Sequence, residues 1–578
     1  MTEPRQIPTR SASSIPTVDV SIGGETLPRN YKLVEFVVVK EINRISYAKL
    51  VFADGDPSTG VFDLSNSDWM DNGKEMTISC GYEGTNETVF EGIVWNHRIT
   101  LKNEQSLLQV EARDKAVLLT MSEKNKVFEE MNDGDVIEEI GSRNNYQTSI
   151  DASFDVEHEK VVQYACTDWD FIVARAEANA AFCRTEKNTL EVFEIDTNQE
   201  AKIELVLGAT ILELDTEISG ENQHEGLERS GWSFQNQESV LEEADAEIEE
   251  AGTVRSSDIA EQTGAKKESV HISSISNERE LTLLANAEAT KHKLSKLMGS
   301  VKSEGFADIK PGEMIKLAGI AEKFNGNCLV SGVAQIYKNG NWLTKYQLGF
   351  SAESHLERFK PISKKQFVLP TSGGLEIGKV QEIVDGEGEN RIKINIAAFG
   401  TDTGIWARIA NLDAGDSRGS FFRPEVGDEV VVGFLNNDPR APIILGMLNS
   451  SALPPPEEAE EANDLKGFVS RSGMKITFHD GDKSIDLETP SGNRIQLSED
   501  TGGITLEDEN GNKVLMDSDG ITMESARNLN IKASGDIKIE GTNIDLAATA
   551  NFKAEGSAGA EMSTSAVAVV KGSLVQIN

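Results

Sequence analysis

The stretch Asn528–Leu546 reads NLNIKASGDIKIEGTNIDL, and its reading decides the fold. It spells a strand three times, at Leu529/Ile531, Ile537/Ile539 and Ile544/Leu546, each an apolar–polar–apolar triplet. Such alternation places the apolar side chains on one face of a strand. Gly535 and Gly541 punctuate the triplets. No helix pattern or long apolar run follows to cover that face.

The pattern extends upstream. Apolar pairs begin at Ile485, Ile495, Ile504, Val514, Ile521, Leu529, Ile537 and Ile544, with spacings of 10, 9, 10, 7, 8, 8 and 7. Segment 469–578 holds only two aromatics, Phe478 and Phe552, so its interior must be narrow. A repeat of about eight residues supplies one strand and one turn, whereas a chain winding alone needs roughly 18 or more per coil. Three chains, each giving one side of a triangular prism, would point the apolar faces at a common axis. The residues expected there are Ile485, Leu487, Ile495, Leu497, Ile504, Leu506, Ile521, Met523, Leu529, Ile531, Ile537, Ile539, Ile544 and Leu546. A one-chain parallel β-helix or a cross-β stalk is the alternative, and the short repeat argues against it.

The rest of the chain is also mainly β. From Val18 to about Leu119, short strands alternate with turns such as Gly23-Gly24 and Asp71-Asn72-Gly73, which suggests a barrel or sandwich. Helical spacing marks Asp168–Ala180, with Thr167 or Asp168 as cap, and a second helix from Asn277 to Met298, ended by Gly299. Residues 218–268 are polar and acidic and read as an exposed helix or mobile insertion. Strands at Leu375–Ile383, Arg391–Ala397, Ile405–Ile409, Glu429–Leu435 and Ile443–Gly446 fit an OB-fold. The expected divisions are an arm at 1–17, a hub at 18–365, the OB-fold at 374–450, an acidic Pro-rich linker at 451–468 and the strand repeat at 469–578.

A formal charge of −40 over 578 residues disfavours nucleic acid and anionic membrane surfaces. The N-terminus lacks the apolar core of a secretory signal, and no window approaches the ~18 apolar residues of a membrane span. Synthesis in a cytoplasm, with export by another route, is expected. Cys80, Cys166, Cys183 and Cys328 are scattered and read as buried, reduced thiols. No H-E-x-x-H occurs, the seven His are dispersed, and Gly386-Glu-Gly388 reads as a hairpin turn. Asp480/Asp482 and Asp517/Asp519 read as solvated positions alternating on strands. Neither catalytic residue, cofactor nor metal is expected.

Several motifs carry a family likeness. In the OB-like unit they are Trp406-Ala-Arg408, the run Phe422–Val431 with Pro424, Val426, Gly427, Asp428 and Glu429, and Asn437–Gly446 with Asp438, Pro439 and Gly446. Upstream they are Phe90–Ile93, Gln163–Phe182 with Asp168 and Phe171, and Lys310-Pro-Gly312. The chain ends Val570–Asn578. On these residues it resembles VgrG, the central spike of contractile injection systems, and the hub and spike of contractile phage tails. Lys40–Ile45 with Asp54–Asp56 resembles the branch in extracellular phage-tail-like particles. The resemblance implies a hub of two barrel-like β domains with helical insertions, an OB-fold and a C-terminal intertwined triple-stranded β-helix, as a homotrimer. It also implies partners: a hexameric inner tube, baseplate proteins, a PAAR-type tip protein at Val575, Ile577 and Asn578, and effector cargo. The phage version carries a lysozyme domain between OB-fold and β-helix; residues 451–468 leave no room for one. A trimeric tail fibre or adhesin, and a cell-wall-degrading β-helix enzyme, are the rival readings.

Overall fold

The computed structural model describes residues 15–577 except 57, 103–104, 234–235, 245, 273, 276, 357–373 and 400–403. Most of the expected arm and Asn578 lie outside them. The chain forms two compact units, Met1–Pro454 and Pro455–Asn578.

The first unit is built on a 13-stranded sheet whose two halves come from distant parts of the sequence. The N-terminal half runs from Pro16–Ile22 to Gln105–Arg113 around a core that includes Phe36, Leu50, Phe52, Ile78 and Phe90. The other half, from Glu204–Val206 to Asn341–Leu348, encloses Ile203, Ile315, Val330 and Tyr346. Strand Gly326–Lys338 joins them by pairing antiparallel with Lys32–Glu41, so that Ile336 stands opposite Val37. The two β units expected of the hub are therefore two cores on one continuous sheet.

Between the halves lies an α/β element. Helices α1 (Asp133–Arg143) and α2 (Asp168–Ala178) pack on the strands around Ile137, Phe171, Ile172 and Val192. Thr167 is the α2 cap, its hydroxyl accepting from the Asp170 amide at 3.1 Å. The motif residues gather here: Gln163 donates to Asp168 at 2.9 Å, and Lys124 and Arg143 pair with the same fully buried carboxylate at 2.5 Å each. Asp133, opening α1, is also buried. Arg175 grips it through Nε at 2.5 Å and Nη2 at 2.7 Å, and Asn179 donates at 2.7 Å. Burial alone would raise the Asp133 pKa, but Arg175 and His158 outweigh it and hold the carboxyl well below the usual range.

Two sequence expectations are corrected. The helix from Asn277 stops early: α4 spans Glu278–Leu294 with Ser295 as C-cap, and Leu297–Glu304 is a strand. Gly299 lies in that strand at φ 150°, where a Cβ would meet the Asp215 carbonyl oxygen at 2.2 Å, so glycine serves strand pairing rather than helix termination. Residues 218–268 are also no loose insertion. Leu227–Ser233, Glu238–Glu243 and, closing the sheet, Glu268–His271 form three strands, with α3 at Ser256–Thr263. Glu250 from the acidic run pairs with buried Lys296 at 2.6 Å. Acidic side chains on strand edges and in ion pairs mimic the composition of a solvated helix.

All four cysteines are free and buried; burial pushes the Cys80 and Cys328 thiols up to about 12. No helix among the described residues is long and apolar enough to cross a membrane.

The second unit is a meander of seven antiparallel strands, from Leu465–Val469 to Gly520–Glu524, each paired with the next. Its first strand thus begins inside the expected linker. From 525 to 577 the chain has no strand or helix. The triplets of the opening stretch therefore find no pairing partner among the described residues of their own chain. Asp480 and Asp482 fall in a turn, and Asp517 ends a strand while Asp519 lies in the turn after it, rather than alternating along strands.

Replacing Arg175 by Met leaves Asp133 charged and unpaired in the interior, at a cost of about 3–5 kcal/mol. The expected result is a lower first transition in calorimetry of the full chain. Because the Asp133 pKa is depressed on folding, its contribution is present above the unfolded value of ~4 and falls away at lower pH. The wild-type transition should drop below about pH 4 and that of Arg175→Met should drop less.

Candidate functional site: an assembly face and the joint that carries it

The sequence nominates no catalytic residues. The nominated residues lie instead on the strand repeat and on the barrel.

Register fixes the face of the meander. Ile485 stands opposite Leu497, Leu487 opposite Ile495, Leu497 opposite Ile504, Leu506 opposite Val514, and Met516 opposite Ile521. Two apolar rows thus run across the strands on one side. Every one of the fourteen side chains expected at the axis is exposed in the single chain, from Ile485 at 36% to Leu546 at 71%. The opposite side is polar and tied together: Asp486 is buried and accepts from Arg494 Nε at 2.6 Å. A sheet with its polar face satisfied and its apolar face bare is inside out for a monomer. Val575 and Ile577, at the chain end, are likewise exposed.

The barrel closes through five strands: Glu376–Glu382, Ile392–Ile396, Ile405–Ile409, Pro442–Leu448 and Glu429–Phe434. These differ from the expected strands by a residue or two at their ends. Val380, Ile394, Ala407, Val430, Val432 and Ile444 fill the interior. Gly427 adopts φ 98° with its amide on the Val380 carbonyl oxygen at 2.9 Å, and Asp428 accepts from the Glu425 amide at 2.8 Å. The Pro424–Glu429 signature is thus a tight turn entering a barrel strand. Trp406 is half-buried beneath Arg391 and Lys393, 5.8 and 5.9 Å from the ring centre. Arg408 and Val426 face outward, and Gly446 sits in the last strand.

The Asn437–Gly446 motif does more than turn. Asp438 and Pro439 are buried. Asp438 holds Arg440 through Nη2 at 3.0 Å, and Arg440 Nη1 reaches Glu280 on α4 at 2.7 Å. Burial would lower the Arg440 pKa, yet the two carboxylates drive it upward, while Asp438 is held low. The barrel is joined to the hub a second time at Tyr164, whose ring meets Phe399 edge-on at 5.4 Å and whose hydroxyl donates to Glu376 at 2.7 Å. Val127 and Val162 of the hub enter the barrel's own core cluster. Sequence reading singled out Asp438 but missed Arg440, Glu280 and Tyr164; the charge alternation D-P-R after a turn was the available signal.

A helix-decorated β hub, an OB barrel locked to it and a strand array that is incomplete alone define an assembly protein, of the spike class. Comparison with known proteins agrees. Residues 12–339 match the Alg8 N-terminal domain, 376–448 the type VI secretion system/phage-baseplate injector OB domain, and 484–578 the phage baseplate V C-terminal trimerisation domain. The chain is 27% identical over 180 residues to the type VI secretion system spike protein VgrG1b of Pseudomonas aeruginosa, covering 28% of this chain and 24% of that protein. It is 33% identical over 94 residues to VgrG3 of Vibrio cholerae, covering 15% of this chain and 9% of that protein. The chain thus spans a quarter or less of the length of these two relatives. A solved Francisella PdpA–VgrG complex shares the fold, with a TM-score of 0.52 and 11% identity, over 89% of this chain and 88% of that one. The chain belongs to the Alg8 N-terminal domain family over its larger part and, taken with its OB and trimerisation domains, is a spike protein of the VgrG type.

Changing Arg440 to Ala leaves Asp438 and Glu280 buried without their cation, with an expected cost of about 3–5 kcal/mol. Hydrogen exchange should then quicken in Glu429–Phe434 and Pro442–Leu448. The double variant Glu280→Ala,Arg440→Ala should cost less than the sum of the singles.

Proposed function

We propose that three copies of this chain form the hub and spike of a contractile injection machine. The observation that carries this reading is the bare apolar face of the strand array. Each Ile or Leu buried there contributes about 1.5–3 kcal/mol. Three chains wound together would cover the two apolar rows and give the backbone groups of 525–577 partners between chains. The residues proposed for the axis are those from Ile485 to Leu546 named above, with Val575 and Ile577 forming the platform for a small tip protein.

The mechanism on this reading is mechanical. Three hubs form a ring that adapts a threefold spike to a hexameric tube, and sheath contraction drives the acidic needle through a target envelope. Stiffness does the work, so no step requires a catalytic residue. The proposed divisions are the hub up to residue 356, the OB barrel, and a spike beginning at Leu465. Baseplate proteins and cargo are its proposed partners. The protein is proposed to be made in a bacterial cytoplasm and delivered with the particle.

Light scattering of the full chain should give three times 62.9 kDa. Removal of 465–578, or the paired change Leu497→Asp,Ile504→Asp on opposed strands, should lower that mass or make it heterogeneous. A full-length folded monomer would overturn the reading.

A further inference from the structure

The small sheet 227–271 meets α4 through a cluster that sequence spacing did not show. His224 lies in the loop before Leu227–Ser233, Glu268 opens the strand Glu268–His271, and His292 sits in the last turn of α4. One ligand atom from each lies within 4.8 Å of the others. His224 Nε2 is 3.9 Å from Glu268 Oε2, and the two imidazoles are 5.8 Å apart between ring centres. His292 Nδ1 is shielded from solvent and has no hydrogen-bond partner. A buried ring nitrogen left without a bond is costly unless something occupies it.

We propose that His224, Glu268 and His292 bind a zinc ion that clips this sheet to α4. Two imidazoles and a carboxylate suit zinc, whose tetrahedral bonds of about 2.0–2.2 Å bring ligand atoms to roughly 3.3 Å from each other. The loop is already pinned: Gln223, next to His224, donates from Nε2 to the His292 carbonyl oxygen at 2.8 Å. Metal binding needs a neutral imidazole. The unpartnered His292 Nδ1 offers the position such a bond requires. The surrounding charges are paired off. Arg229 engages Glu288, and Lys291 lies 3.9 Å from Glu177. The carboxylate of Glu268 lies beside the two rings and supplies the negative ligand.

The role is that of a staple. The three ligands are far apart in sequence, and joining them ties a loop, a strand and the helix that also carries Glu280. Zinc bound this way would raise the stability of the hub without supplying chemistry.

The test uses the full chain, purified without a polyhistidine tag, stripped with chelator, reloaded with Zn²⁺ and dialysed. Metal analysis is expected to find one zinc per chain, and Co²⁺ in its place should show the intense visible bands of tetrahedral coordination. Both signals should vanish in His224→Ala,His292→Ala and persist in His97→Ala. Zinc should raise the thermal transition of the wild type but not of the double variant. His224→Ala alone, in a loop, serves if the double variant folds poorly. Wild-type chain that holds no more zinc than the His224 variant would overturn the proposal. So would cobalt bands that survive loss of His224.

Discussion

Strand faces and strand edges must be covered, and the whole molecule is arranged around the place where one chain fails to do so. In the hub and barrel each apolar face meets a second layer or closes on itself. In the C-terminal unit it does not: each strand turns back beside its predecessor and none crosses over, so the sheet has one layer. Beyond residue 524 even the neighbours are missing. Backbone polar groups left in this state are tolerable in water, but the alternation of apolar side chains is not an arrangement a solvated segment would need. On the proposed reading, dependence on further chains is written into the strand period itself.

A spike of the proposed kind needs its parts joined rigidly, and in the hub and barrel buried charge does the joining. Asp133 with Arg175, Asp168 with Lys124 and Arg143, and Arg440 between Asp438 and Glu280 each tie segments distant in sequence. Buried pairs of this kind add little net stability over apolar packing, but breaking one is expensive. They fix one arrangement of elements against its neighbours. The link from Arg440 to α4 therefore has a clear sense: a barrel that slid on the hub would strand two carboxylates and a guanidinium.

Much of this was legible in the sequence where a short period governs. The five barrel strands follow apolar alternation between strong turn residues, and Ile394, Ala407 and Val430 all point inward as alternation requires. The bare apolar face likewise follows from period two alone. What was not legible depended on partners remote in the chain. The run at 241–250 looks helical by composition, yet Glu250 is consumed by Lys296. Leu297 continues a helical stripe in sequence, but pairing with Glu213–Ile218 claims it for a strand. His224, Glu268 and His292 are 44 and 24 residues apart, and no local pattern joins them.

The pairing of Lys32–Glu41 with Gly326–Lys338 has a consequence in time. Some three hundred residues separate the two strands, so during synthesis the first half of the hub sheet carries an open edge until nearly the whole hub has emerged. Open edges of this kind invite pairing with the wrong strand. The strands of the meander, by contrast, pair with neighbours a few residues away and form fast once made. The chain can therefore make its slow, long-range closure before the strands of the meander have emerged.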